Sequence, residues 1–287
     1  MTAVSADFSG TTSFYAEEFP VPGEGEAADV GSVYASGLFD LSDGRTVEEY
    51  NITKRLYPAS ITKIMTALLA VKYGDMDEML TASSHVADLE WEAQKIGIEP
   101  GDKMTLEQAL QYLMVYSAND ASILIAEAIG KDYKDFVRMM NEEAQRIGAT
   151  GTHFVNANGL HDKDHYTTAY DLLLIFQECL KYPKFREIMH QNSYSTVFHD
   201  KDGNPRAIEI PSTDYYLTGS ATPPAGIRVL GGKTGTTDQA GNCLMILTEN
   251  SDGKEYVSII LGAEGYDDLY KCMNRLLRIE QKLAAKQ

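Results

Sequence analysis

Residues 57–67 read Tyr57-Pro58-Ala59-Ser60-Ile61-Thr62-Lys63-Ile64-Met65-Thr66-Ala67. Pro58 disfavours helix at Tyr57 and places a helix start near Ser60. From there Ile61, Ile64, Met65, Leu68 and Leu69 recur at helical spacing, and Gly74-Asp75 ends the run. Ser60 and Lys63 stand three apart, so both side chains lie on one face of the new helix. A helix start also offers unpaired N–H groups and partial positive charge.

This helix divides the chain. Before it, residues 32–41 alternate as a strand, Ser42-Asp43-Gly44-Arg45 is a turn, and Thr46 to Tyr50 returns as a second strand. After it come helices. Thr105 and Gln108 form a capping box ahead of the apolar run Leu110 to Val115. Ala121 to Ile129 is stopped by Gly130, Asp132 caps a fourth helix, and Thr168 with Asp171 caps a fifth over Ala169 to Leu180. Strand patterns then return: Tyr194 to Phe198 and Ala207 to Ile210 around Asp202-Gly203-Asn204, then Arg228 to Thr236, Cys243 to Thr248 and Tyr256 to Leu261. An amphipathic helix carrying Leu269, Met273, Leu276 and Leu283 closes the chain. The order predicts an α+β fold in which both ends of the chain share one antiparallel sheet flanked by helices, with an all-helical lobe inserted. The α/β lobe is expected at about 28–60 and 208–287, and the helical lobe at about 61–207. Residues 1–27, rich in Glu, Pro and Gly, read as a disordered acidic leader.

The 287 residues are 44% hydrophobic, enough for a sizeable core. A net charge of −17 argues against nucleic acid and against direct docking on an anionic membrane. No apolar run approaches the roughly 20 residues of a membrane helix, and no signal peptide is visible. Cys179, Cys243 and Cys272 are widely spaced and form no disulfide framework.

A serine hydroxyl needs an adjacent base to act as a nucleophile, and a desolvated Lys63 beside a second cation would serve. Lys233-Thr234-Gly235 lies in a predicted strand, where Lys233 and Gly235 share a face. Lys233 would raise the potential over the site, and Gly235 would admit a substrate close to the backbone. The N–H groups of Thr236 and Ser60 would form an oxyanion pair. Ser117-Ala118-Asn119 lies between two predicted helices; Ser117 would relay a proton and Asn119 would hold a substrate carbonyl. A second Ser-x-x-Lys, Ser251-Asp252-Gly253-Lys254, falls in a hairpin turn without a helix start and is a decoy. His161 and His165 have metal-ligand spacing only if helical, and Gly159, Asp162 and Asp164 make them loop histidines.

The three motifs, in this order and setting, resemble the Ser-x-x-Lys, Ser-x-Asn and Lys-Thr-Gly set of penicillin-binding proteins and class A β-lactamases. The segment Tyr57 to Ala67 looks like the nucleophile segment of the low-molecular-mass D-alanyl-D-alanine carboxypeptidases. Phe154-Val155-Asn156-Ala157-Asn158-Gly159-Leu160, Tyr166 to Asp171 and Lys233 to Gly241 are similar to further segments of that family. The likeness covers roughly residues 30–285. It implies a β-lactamase/transpeptidase-like fold and a serine-type carboxypeptidase of the cell-wall side of the membrane. Such an enzyme removes the terminal D-alanine from peptidoglycan stem peptides ending in D-Ala-D-Ala, is acylated by β-lactams, and needs no metal or organic cofactor. The implied catalytic residues are Ser60, Lys63 and Ser117, with Ser117 bridging Lys63 and Lys233. Asn119, Lys233, Thr234, Gly235 and Thr236 would bind substrate. A D,D-endopeptidase uses the same set. A class A β-lactamase also needs a deacylating glutamate, and no Glu-x-x-Leu-Asn stands between the second and third motifs. A non-catalytic muropeptide-binding module would not require Ser60, Lys63, Ser117 and Lys233 together. Residues 212–230 depart from the family pattern, and the run Thr218 to Gly226 is expected to reshape the cleft rim. Family members often carry a second β-rich domain and an amphipathic membrane anchor after the catalytic domain, whereas this sequence stops at Gln287: either that part was removed or it never existed.

Overall fold

The computed structural model of the protein describes residues 31–284. The leader expected at 1–27 lies outside the described residues. The chain begins with the hairpin β1 (Ala35–Asp40) and β2 (Arg45–Tyr50), then a 3₁₀ turn (Ala59–Thr62) that runs into α1 (Lys63–Tyr73). The insert follows: β3 (Met79–Thr81), β4 (Lys103–Thr105), α2 (Leu106–Val115), α3 (Asn119–Ile129), α4 (Tyr133–Arg146), α5 (Ala169–Cys179), α6 (Pro183–Met189), β5 (Ser193–His199) and β6 (Pro205–Pro211). A short α7 (Tyr215–Thr218) leads to β7 (Arg228–Thr237), β8 (Gly241–Glu249), β9 (Glu255–Ala263) and α8 (Tyr266–Ala284).

The main sheet has the order β2-β1-β9-β8-β7, antiparallel throughout, so both ends of the chain do meet in one sheet. Its two faces are both covered, which explains the continuous apolar runs of β8 and β9. Leu244, Ile246 and Ile260 face Leu269, Met273, Leu276 and Leu277 of α8. Met245, Leu247, Val257 and Ile259 face the larger core, which includes α1 and α5. Helix α1 is buried from Lys63 to Ala70, as expected of a helix apolar all round. The caps at Thr105, Asp132 and Thr168 each accept the expected backbone N–H.

The insert is built round helices but is not helical throughout. β3, β4, β5 and β6 form a small antiparallel sheet against α2, and β6 carries the insert on to Pro211. The β5–β6 hairpin is the one its turn residues announced. The three-residue strands β3 and β4 are too short to display a period of two. α6 is likewise an addition, a short helix with Pro183 at its first turn. Among the described residues no helix is long and apolar enough to cross a membrane. The three cysteines are buried, and no disulfide joins them.

One loop contact fixes the start of the central helix. Gly159, between α4 and α5, has φ +86°, and a Cβ there would lie 1.9 Å from the Ala59 carbonyl oxygen and 2.9 Å from Thr62 Oγ1. Gly159→Ala is therefore expected to cost roughly 2–4 kcal/mol, combining backbone strain with displacement of the 59–62 turn. Urea unfolding measures it, and an unchanged midpoint would contradict this packing.

Candidate active site

Ser60 sits in the 3₁₀ turn, one step ahead of the α-helix that the spacing predicts, and Lys63 is the first residue of α1. Ala59 has φ +47°, a strained value for a residue with a side chain. The 156–165 loop clamps this turn. Thr66 Oγ1 donates to the Ala157 carbonyl (2.6 Å), and Thr62 Oγ1 lies 2.7 Å from His165 Nε2. His165 Nδ1 accepts the Val155 N–H (3.1 Å), so Nε2 carries the proton and donates to Thr62. Burial holds His165 down to about 4, which keeps it in this neutral form. His161 instead packs edge-on against the Tyr57 ring.

Lys63 is fully buried, and its Nζ has three neighbours. It donates to Asn119 Oδ1 (2.7 Å) and to the Asn158 carbonyl (2.6 Å), and it lies 2.9 Å from Ser60 Oγ. Two of these partners are pure acceptors. With both carbonyls served, the third direction of Nζ falls on the Ser60 hydroxyl, where a deprotonated amine would present its lone pair. Burial, and then the nearby Lys233 ammonium, hold Lys63 well below the usual lysine range, against the opposing pull of Asp120. The Asp120 carboxylate accepts the N–H groups of Ile96, Gly97, Ile98 and Ala121.

Lys233 is also fully buried. Its Nζ donates to Ser117 Oγ and to the Thr234 carbonyl, both at 2.9 Å. Burial lowers it to about 7, with Asp214 opposing. Ser117 has φ +65°, which sets it apart from the helices on either side. β7 is the edge strand of the sheet, and the nucleophile turn packs beside it. A Cβ on Gly235 would lie 2.9 Å from Ser60 N and 3.0 Å from Ile61 N. Gly235 thus makes room for the turn itself. Thr234 Oγ1 lies 2.6 Å from Thr213 Oγ1, and Thr236 Oγ1 bonds Asn242 Oδ1 (3.1 Å) and Tyr266 OH (3.2 Å).

All three motifs therefore converge. Ser117, read from the sequence as a bridge between both lysines, is bonded to Lys233. Asn119, read as a holder of substrate, has its Oδ1 on Lys63. The second Ser-x-x-Lys does sit in the β8–β9 turn, where Lys254 pairs with Asp43. Sequence reasoning missed the Asn158 carbonyl, because a backbone acceptor leaves no residue signature. It also passed over Thr213 and Asp214. Asp214 is buried and accepts from Tyr216 N (2.9 Å) and Tyr270 OH (3.2 Å). Burial raises it to about 6. Tyr215 stacks between Tyr266 and Tyr270, with centroids at 5.5 and 5.0 Å. Thr213 thus touches the Lys-Thr-Gly strand directly, ahead of the 218–226 run. That run is tied to α8 through Asn274 to Thr222 and Gln281 to Ala225.

Comparison with known proteins gives the same picture. D-alanyl-D-alanine carboxypeptidase DacF of Bacillus subtilis is 29% identical over 233 residues, covering 79% of this chain and 56% of that protein. The D-alanyl-D-alanine carboxypeptidase of Streptomyces sp. strain K15 is 26% identical over 259 residues, 85% of this chain and 87% of that one. The chain spans about half the length of several curated relatives that it matches. The crystal structure of the Streptomyces K15 DD-transpeptidase superposes with a TM-score of 0.79 at 24% identity, over 87% of this chain and 97% of that one, a likeness of fold. The sequence profile of the D-alanyl-D-alanine carboxypeptidases matches residues 29–265, and with that match over most of its length the chain belongs to the D-alanyl-D-alanine carboxypeptidase family.

Proposed function

We propose that the protein is a serine-type D-Ala-D-Ala carboxypeptidase acting on peptidoglycan stem peptides outside the cytoplasmic membrane, with Ser60 as nucleophile. The observation that carries this reading is the Lys63 amine, stripped of water and held by two carbonyl oxygens with its third direction on Ser60. Lys63 takes the Ser60 proton as Oγ attacks the carbonyl of the penultimate D-alanine. The oxyanion forms between the N–H groups of Ser60 and Thr236, a pair whose single members are worth about 10²–10³ in rate. Lys233 and the Thr234 hydroxyl receive the terminal carboxylate. Gly235 admits the nucleophile turn beside them, and the Asn119 amide nitrogen faces the peptide. The proton that Lys63 took passes on to the departing D-alanine amine as the C–N bond breaks, with Ser117 as the relay, and Lys63 is neutral again. Lys63 then takes a proton from the water that attacks the Ser60 ester and returns it to Ser60 Oγ as the acyl group leaves. A β-lactam acylates Ser60 in the same way.

No carboxylate is hydrogen-bonded to Lys63 or Ser60 among the described residues, and Glu143 is spent on Lys72 and Arg146. This favours a slow deacylator of β-lactams over a β-lactamase. Chain cleavage at a cross-link needs the same machinery, and the product separates the two peptidases.

Incubated with a pentapeptide muropeptide, the protein should release one D-alanine, read by mass spectrometry. Fluorescent penicillin should label it covalently. Ser60→Ala should abolish both while leaving the fold intact; equal labelling of Ser60→Ala would overturn the mechanism. Cleavage of a cross-linked dimer in place of alanine release would make it an endopeptidase.

Stability carries a second signature of the site. Lys233 sits at about 7 when folded, so between that value and the usual lysine range the unfolded chain binds more protons. The linkage slope is then positive: stability is withheld at low pH and gained as pH rises through about 7. From pH 7 to about 8.5, where free thiols begin to titrate, unfolding free energy should rise on the order of 1 kcal/mol per pH unit. Denaturant titrations at each pH measure it, and Lys233→Met should lessen the slope.

A further inference from the structure

A cavity of about 350 Å³ lies outside the constellation just described, lined by Lys54, Arg55, Tyr57, Lys163, Tyr166 and Gln239 among others. It gathers three cations in a chain of net charge −17. Among the described residues none of the three enters an ion pair. The Arg55 guanidinium carbon stands over the Tyr166 ring, 4.7 Å from its centroid. Two of the acids nearby hold other partners. Asp162 caps the Asp164 N–H, and Asp171, which acts on Arg55 at longer range, takes the Thr152 hydroxyl. The pocket is braced by the antiparallel bridge of Leu56 to Thr167.

Its position matters as much as its charge. Tyr57 stands three residues before Ser60, and Gln239 three residues after Thr236. The cavity therefore lies where the chain enters the nucleophile turn and where β7 gives way to the β7–β8 turn. A substrate whose terminal carboxylate sits at Lys233 and Thr234, and whose scissile carbonyl sits at Ser60 and Thr236, continues its acyl side toward this end. Three residues of extended chain span up to about 10 Å. That reaches the second or third residue upstream of the scissile bond. Stem peptides carry free carboxylates there, among them the α-carboxylate of a γ-linked D-glutamate.

We infer that the Lys54–Arg55–Lys163 pocket is a subsite for a carboxylate of the acyl-donor peptide, so that the protein selects acidic stem peptides over their amidated forms. This rests on the carboxypeptidase reading above. The probes are the pentapeptide L-Ala-γ-D-Glu-L-Lys-D-Ala-D-Ala, the same peptide with D-isoglutamine in place of the glutamate, and diacetyl-L-Lys-D-Ala-D-Ala, which is neutral on its acyl side. Wild type should hydrolyse the acid with a kcat/KM about fivefold or more above the amide, the size expected of one partly exposed charge pair. The double variant Lys54→Glu, Lys163→Glu should abolish or reverse that ratio, chiefly through KM. Its turnover of the neutral tripeptide and its labelling by penicillin should not change. Equal turnover of acid and amide by wild type would overturn the inference, as would a variant that loses the neutral substrate in step with the acid. Calorimetric binding of both pentapeptides to Ser60→Ala reads the pocket without turnover. If that variant prefers the acid while wild type releases no D-alanine, the pocket stands and the carboxypeptidase reading falls.

Discussion

A lysine amine stripped of water at the head of α1 must still find partners, and most of the architecture around the site follows from that demand. Burying an isolated ammonium costs several kcal/mol even after relaxation. The structure relieves this by lowering the proton affinity of Lys63 and by giving its nitrogen two carbonyl oxygens. Each oxygen comes from a different part of the chain, one from the start of α3 and one from the loop that precedes α5. Neither can move far. α3 is anchored by Asp120, which ties its first turn to the Ile96–Ile98 backbone, and the 158 loop is locked against Ala59 by a glycine that has no room for a side chain.

The second half of the site comes from the edge of a sheet. β7 is the last strand of five, so one side of it is paired to β8 and the other is available. The nucleophile turn occupies part of that available side, in contact with the backbone at Gly235. Strand amides and a helix-start amide are thereby brought together without any side chain between them. Chain order explains how this is possible. β1 and β2 form before α1, and β7 to β9 after the insert, so the sheet closes only when both ends of the chain pair. Closing it carries the Lys-Thr-Gly strand to the helix that β1 and β2 precede.

What was legible in the sequence was whatever repeats or caps. Thr105, Asp132 and Thr168 announced their helices because a side-chain oxygen beside a helical run has one common use. The main-sheet strands were visible as apolar runs, and the three motifs as residue types whose chemistry needs neighbours. The missing parts share a different property: they act through backbone or through tertiary burial. The Asn158 carbonyl has no residue signature. His165 looks like any loop histidine until its ring is seen between Val155 and Thr62. β3 and β4 hold three residues each, less than a full alternation. Asn119 and Ser117 were found as residues, yet their division of labour between the two lysines depends on a left-handed Ser117 that composition does not reveal.

Asp214 shows how the rim and the chemistry are joined. Its Oδ1 is satisfied by Tyr216 and Tyr270, while its buried Oδ2 has no hydrogen-bond partner among the described residues. An unpaired carboxylate oxygen in a dry place favours protonation, and Asp214 accordingly rises to about 6, while Lys233 falls to about 7. Each charge would support the other, but burial penalises both, so Lys233 holds its proton weakly. In the mechanism proposed above, a substrate carboxylate beside Lys233 would add the negative charge that Asp214 supplies only in part, and would strengthen the ammonium that receives it. On that proposal the site would favour ligands that end in a free carboxylate over neutral peptides of the same shape. That bias comes from the dryness of two lysines and one aspartate, with the Tyr215–Tyr266–Tyr270 stack packed alongside.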